Sequence, residues 1–206
     1  MFENVKDSLF ISDLHSERGF NPQIHALLRG KASSRDIYFL GDARMYPDSY
    51  KDIPHTAIKG NHEYMFDIWR KGLQKYVLLT PEVLLIHGHN AEKQNKFPNR
   101  YFKDIVDFFM THKEAWQTRN KLLSCSSPLG LKYTIPQGMA STPEWLRLCA
   151  LRQRLYKHFP RVKTVLMGHH HVQYSVKAED CDFYNCGAGF RGEHIEIVDG
   201  ELYFYN

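Results

Sequence analysis

The chain has no apolar run longer than a handful of residues, whereas a membrane-spanning helix needs roughly 20. Its amino terminus, MFENVKDSLFISD, lacks a basic segment followed by a long apolar one, so it does not read as a signal peptide. Cysteine is scarce. Cys125, Cys149, Cys181 and Cys186 show no zinc-type CxxC spacing and are too few for a disulfide scaffold. Reduced thiols and a cytoplasmic location are the expectation. What remains is the composition of an ordinary globular protein, 43% hydrophobic and 24% charged, with 206 residues that fit one domain spanning 1–206.

Histidine, by contrast, is abundant, with twelve residues, three of them consecutive in VLMGHHHVQ. The local context of these histidines is repeated along the chain. A short apolar run followed by a turn rich in Asp, His, Asn and Gly occurs in SLFISDLH, DIYFLGDAR, HTAIKGNHE, VLLIHGHN and KTVLMGHHH. Such runs, rich in Ile, Leu, Val and Phe, read as buried strands. Helix-like patterns at 22–28 and 64–73 lie between the early ones. Alternating strands and helices predict an α/β fold, in which functional residues gather at the carboxyl ends of the strands.

The residues at those ends are the types that hold two metal ions. Asp13 and His15, two apart, would share one side of an extended segment, as would His169 and His171, with His170 on the other side. Asp42 follows Gly41, which permits a sharp turn, Asn61 follows Gly60, and His87 ends the fourth run. One metal would take Asp13, His15 and His171, and the other Asn61, His87 and His169. Asp42 would bridge them, since a carboxylate can span ions about 3.5–4 Å apart. Mixed imidazole and carboxylate ligands suit Mn, Fe, Zn or Co better than Ca, with Mn the first choice. Two divalent ions bring about +4, which two carboxylates only partly offset, so the centre attracts a phosphate oxygen. Glu63, His89 and His170 sit beside these motifs and are given no direct role.

The ordered set SDLH, LGDA, KGNHE, IHGH and GHHH resembles the motif series of the calcineurin-like metallophosphoesterases, from Asp13 to His171. The later YNCGAGF resembles that family's Asn-x-Gly turn. The resemblance implies a double-layered β-sandwich flanked by helices around a di-metal centre, and it supports the ligand allocation above. It also implies that His62 contacts the phosphate and assists the leaving group. One departure matters: GDARMYPD lacks the G-D-x-x-D continuation seen in many relatives, which argues against a protein phosphatase. Arg44, in this turn, is a candidate substrate contact.

Between His87 and Gly168 the chain is longer than a simple strand-helix-strand link requires. A helical cap insertion is expected at about 96–160. RYFKDIVDFFMTHKEAW has helical apolar spacing, and PEWLRLCALRQRLYKHF puts Trp145, Leu148, Leu151, Leu155 and Phe159 on one face. The placement resembles the caps of UDP-diacylglucosamine hydrolases. Residues 89–163 carry 14 Lys/Arg against 5 Asp/Glu, so the segment is expected to face something anionic. Arg152 and Arg154 are candidate substrate contacts. The expected activity is hydrolysis of a phosphodiester or pyrophosphate in a nucleotide-like or other polyanionic substrate. The alternatives are a phosphomonoesterase or a non-catalytic scaffold of the same fold. Nucleic acid is a candidate partner through the basic segment, as is peripheral contact with lipid.

Overall fold

The computed structural model describes residues 2–15, 20–43, 50–61, 63, 73–89, 148, 151–178 and 180–206. His62, Arg44, the helix-like stretch 64–72 and most of the expected cap lie outside them. So does most of the region likened to the UDP-diacylglucosamine hydrolase caps.

Each of the five apolar runs forms a strand. In order they are β1 (Ser8–Ile11), β2 (Asp36–Phe39), β3 (Thr56–Ala57), β5 (Val83–Leu85) and β6 (Thr164–Met167), with β4 (Val77–Thr80) preceding β5. The carboxyl-terminal part adds β7 (Gln173–Ala178), β8 (Cys181–Cys186), β9 (His194–Val198) and β10 (Glu201–Tyr205). They form two mixed five-stranded sheets, in the orders β10-β9-β1-β2-β3 and β4-β5-β6-β8-β7. Strands β1, β2 and β3 run parallel in the first sheet, and β5, β6 and β8 in the second.

Strand periodicity explains why these runs are apolar throughout. In β1, Phe10 packs into the core shared by both sheets, while Leu9 and Ile11 face the outer layer. In β5 and β6, Val83, Leu85 and Leu166 face that shared core, and Leu84, Val165 and Met167 point outwards. Strands β1, β5 and β6 are thus buried on both faces, with Ser8 and Thr164 their only polar residues. The result is an α/β sandwich of two facing sheets, as expected.

Helix α1 (Pro22–Lys31) covers the outer face of the first sheet through Ile24 and Leu28, packed with Leu9, Ile11, Ile37 and Phe39. Its start is set by Asn21, whose Oδ1 accepts from the backbone N–H groups of Gln23 and Ile24, and by Pro22 in the first turn. Beyond its carboxyl end, Glu196 of β9, fully buried, pairs with Lys31 at 3.0 Å and Arg35 at 2.8 Å, tying the helix to the sheet. A Cβ at Gly30 would meet nothing within 4 Å. Gly30→Ala is therefore expected to stabilise the protein by about 0.5–1 kcal/mol, read as a raised urea midpoint with unchanged slope.

Leu148, Leu151, Leu155 and Phe159 cover the outer face of the second sheet against Leu84, Val165, Met167 and Phe183. The apolar face expected within the insertion is thus, at this end, the second flanking layer of the sandwich.

Candidate metal centre

The carboxyl ends of β1, β2, β5 and β6 meet at one edge of the sandwich, and their ligand-type residues converge there. Asp13, His15 and His171 form one cluster and Asp42, His87 and His169 a second, each with its ligand atoms within 4.8 Å of one another. In the first, His171 Nε2 lies 3.1 Å from Asp13 Oδ1 and 3.1 Å from His15 Nε2, which is 3.7 Å from the same carboxylate oxygen. In the second, His87 Nε2 lies 3.3 Å from Asp42 Oδ2 and 3.0 Å from Asn61 Oδ1. Ligands about 2.0–2.2 Å from one ion stand roughly 3–3.5 Å from each other. Four of these separations, 3.0–3.3 Å, fit that requirement, and the His15–Asp13 pair at 3.7 Å stands slightly wider.

The backbone reaches this arrangement differently from the extended geometry expected. Asp13, His15, Asp42, His169 and His171 all have positive φ, between 45° and 78°. They are five of the six non-glycine residues with positive φ among the described residues. Each such conformation costs on the order of 1–3 kcal/mol and persists only where its surroundings enforce it. Here the chain curls at each ligand, so the side chains converge through turns and not through strand alternation. His169 and His171 accordingly serve different clusters, while His170 turns away, its Nδ1 2.7 Å from the Tyr174 hydroxyl.

Continued strand pairing enforces the curl. Asp13 N–H donates to the Gly41 carbonyl and His15 N–H to that of Asp42, extending β1–β2 beyond the strand ends. Gly168 N–H donates to the His87 carbonyl and so extends β5–β6. Two contacts then join the sheets. The His169 N–H donates to Asp13 Oδ2 at 2.7 Å, and His87 Nδ1 donates to the Leu40 carbonyl at 2.7 Å. A carbonyl only accepts, so Nδ1 carries a proton and Nε2 is the atom offered to a metal. Gly41 has φ 94°, and a Cβ there would stand 2.5 Å from the His87 ring.

Glu63 has a role that was not assigned from sequence. Buried, it accepts through Oε2 from the backbone N–H groups of Asp42 at 2.8 Å and Gly60 at 2.7 Å. It thereby fixes the two turns that carry Asp42 and Asn61. Asn185 does the same from the second sheet, donating to the Gly168 carbonyl at 2.6 Å. Its only sequence signal was the Asn-x-Gly turn.

Arg152 is 2% exposed and held by a bidentate pair with Asp180, its Nε and Nη2 lying 2.8 and 2.9 Å from the two carboxylate oxygens. Arg154 is partly exposed on the same helical segment, residues 151–156.

Electrostatics follow from the crowding. Burial pushes the Asp13 carboxyl up, but the facing imidazoles of His171 and His15 outweigh it and hold the group well below the usual carboxylate range. Burial pushes His87 down. Asp42 above all, with Asp13 and Glu63, outweighs that and raises the imidazole from 6.5 to about 9. In the metal-free protein, His87 therefore contributes stability that is fully present below about pH 6.5 and lost as pH rises through about 9. Chelator-treated protein should melt at progressively lower temperature across that window. Metal uptake at neutral pH should release about one proton, measurable by calorimetry in two buffers of different ionisation enthalpy. Uptake without proton release would show that His87 is already neutral.

No family model matches the sequence, and no curated protein matches it. Solved structures do. A Thermotoga maritima protein determined by solution NMR is 15% identical, with 98% of each chain covered and a TM-score of 0.50. A conserved Streptococcus pneumoniae protein described as a predicted phosphoesterase is 15% identical over 94% of this chain and 83% of its own, with a TM-score of 0.48. Entamoeba histolytica Vps29 complexed with zinc is 14% identical over 97% of both chains, with a TM-score of 0.45. The likeness to the Thermotoga maritima protein is one of fold and spans nearly the whole chain. The site described above offers two residue groups suited to divalent metal ions.

Proposed function

We propose that the protein is a di-metal-dependent phosphoesterase acting on a diester or pyrophosphate in a nucleotide-like or other polyanionic substrate. The observation that carries this reading is the pair of three-residue ligand clusters side by side at the sheet edge. Asp13, His15 and His171 would hold one ion, and Asn61, His87 and His169 the other, with the Asp42 carboxylate between them. Two such ions supply Lewis-acid stabilisation of charge on a phosphoryl oxygen. The protein's own contribution is rigidity. Glu63 fixes the Asp42 and Gly60 amides, the Leu40 carbonyl fixes the tautomer of His87, and Phe190 packs edge-on against the His15 and His171 rings.

His62 is proposed as the group that contacts the phosphate and assists the leaving group. Its chain neighbours favour that role: Asn61 lies against His87, and Glu63 anchors the turn. Nucleic acid is a proposed partner through the basic segment 89–163, where salt-sensitive retention on RNA would be expected. No described helix is long and apolar enough to cross a membrane.

The test is turnover of bis-p-nitrophenyl phosphate beside the monoester, with metal-stripped protein refilled with Mn(II) and Asp42→Asn as background. Metal-dependent diester cleavage is expected. Preference for the monoester would favour a phosphomonoesterase, and no cleavage of either ester with two metals bound would favour a scaffold.

A further inference from the structure

One cationic side chain at the centre was not singled out from sequence. Arg191 lies in the short 3-10 turn Gly189–Arg191 that follows β8. That turn is bound to the β1 ligand loop, since Gly189 N–H donates to the Ser12 carbonyl at 2.7 Å and Phe190 N–H to that of Asp13 at 3.2 Å. Arg191 Nη2 donates to the carbonyl of His171, and Nε stands 2.8 Å from Glu193 Oε1. The guanidinium lies over the Phe190 ring at 5.5 Å, and that ring packs edge-on against His171 at 5.6 Å and His15 at 6.1 Å.

Three contacts thus hold the guanidinium in place at the rim of the first ligand cluster. Its side chain is still 51% exposed. A guanidinium has five N–H donors, and the two contacts made by Nε and Nη2 leave the Nη1 donors without a hydrogen-bond partner among the described residues. Glu193 offsets part of the charge on the side away from Nη1. Such a fixed, half-exposed fork with unused donors matches the planar oxygen pairs of phosphate better than a mobile lysine would.

We propose that Arg191 is an anion-binding residue that donates through Nη1 to a phosphate oxygen of the substrate beside the Asp13–His15–His171 cluster. This rests on the phosphoesterase reading of the two clusters. It differs from the substrate contacts expected at Arg152 and Arg154, the first of which the structure commits to Asp180.

The experiment measures calorimetric binding of inorganic phosphate to Mn(II)-loaded wild-type protein, Arg191→Ala and Arg191→Gln, with metal content determined on each sample. Gln keeps a donor for the His171 carbonyl but carries no charge, so it serves if Arg191→Ala does not fold. The expected result is two metals in every folded variant and phosphate binding weaker by about ten- to a hundredfold, with KM for the diester rising more than kcat falls. Unchanged phosphate affinity in Arg191→Gln would overturn the proposal. So would loss of a metal ion from that variant, which would make Arg191 a support for the His171 backbone. Wild-type protein that binds phosphate through Arg191 yet cleaves no ester would leave this inference standing and refute the phosphoesterase reading instead. Ester cleavage unaffected at Arg191 would do the reverse.

Discussion

Asp42→Asn is expected to lower diester turnover by about a thousandfold or more and to reduce the metal content below two ions per chain. The substitution preserves shape, so the fold should survive: Asp42 is 1% exposed, and its backbone N–H stays bound to Glu63. What changes is charge. Asp42 Oδ2 faces His87 Nε2 at 3.3 Å and is the main group raising that imidazole to about 9. An amide in its place gives two neighbouring cations only one partial negative end to face. If Asp42 spans both ions, both affinities fall together. If it serves only the second cluster, one ion remains tightly held by Asp13, His15 and His171. Metal analysis of the purified variant separates these cases. Two tightly bound ions with activity within tenfold of wild type would remove Asp42 from the centre altogether.

Much of this site was legible in the sequence because its ligands occupy stereotyped places. A buried strand must be apolar on both faces, and it must stop being so where the chain leaves the sheet. Asp42, His87 and His169 are the first polar residues after their runs, and Asp13, Asn61 and His171 stand within two residues of the first polar one. In the structure His171 lies with Asp13 and His15, and His169 lies with Asp42 and His87. Helix α1 was legible through its Asn21–Pro22 start.

Other features depend on partners distant in the chain and left no local mark. Glu63 looked like a neighbour of a motif, and only the fold brings its carboxylate to the amide of Asp42, 21 residues earlier. Arg152 read as a candidate substrate contact on a basic helix, and only the fold brings Asp180, 28 residues later, to its guanidinium. The positive φ values at Asp13, His15, Asp42, His169 and His171 were largely hidden, since Asp and His signal that conformation far more weakly than glycine does. The expectation of extended segments failed for that reason: Asp13 and His15 fall in one cluster, but His169 and His171 fall in two.

Gly60→Ala is the second change with a large expected effect, and it tests how tightly the two ligand turns are packed. A Cβ at Gly60 would stand 1.9 Å from Asp42 Oδ1, 2.5 Å from the Asp42 backbone nitrogen and 2.7 Å from its carboxyl carbon. Side-chain rotation can move the first and third of these atoms but not the second. The turns must separate, and Glu63 then cannot accept from both amides as it does at 2.7 and 2.8 Å. Overpacking of this kind costs about 1–3 kcal/mol, and losing one buried amide contact adds about 1 kcal/mol. Together these lower Tm by roughly 4–16 °C for a chain of this size. The separation also moves Asn61 relative to His87, so the affinity of the second cluster for Mn(II) should fall further than that of the first. Gly30→Ala, made in open space on α1, serves as the control for a glycine substitution in itself. A Gly60→Ala protein that melts with Gly30→Ala and keeps both metal affinities would mean that Asp42 and the Gly60 turn do not touch. The claim that Glu63 holds them as one unit would go with it.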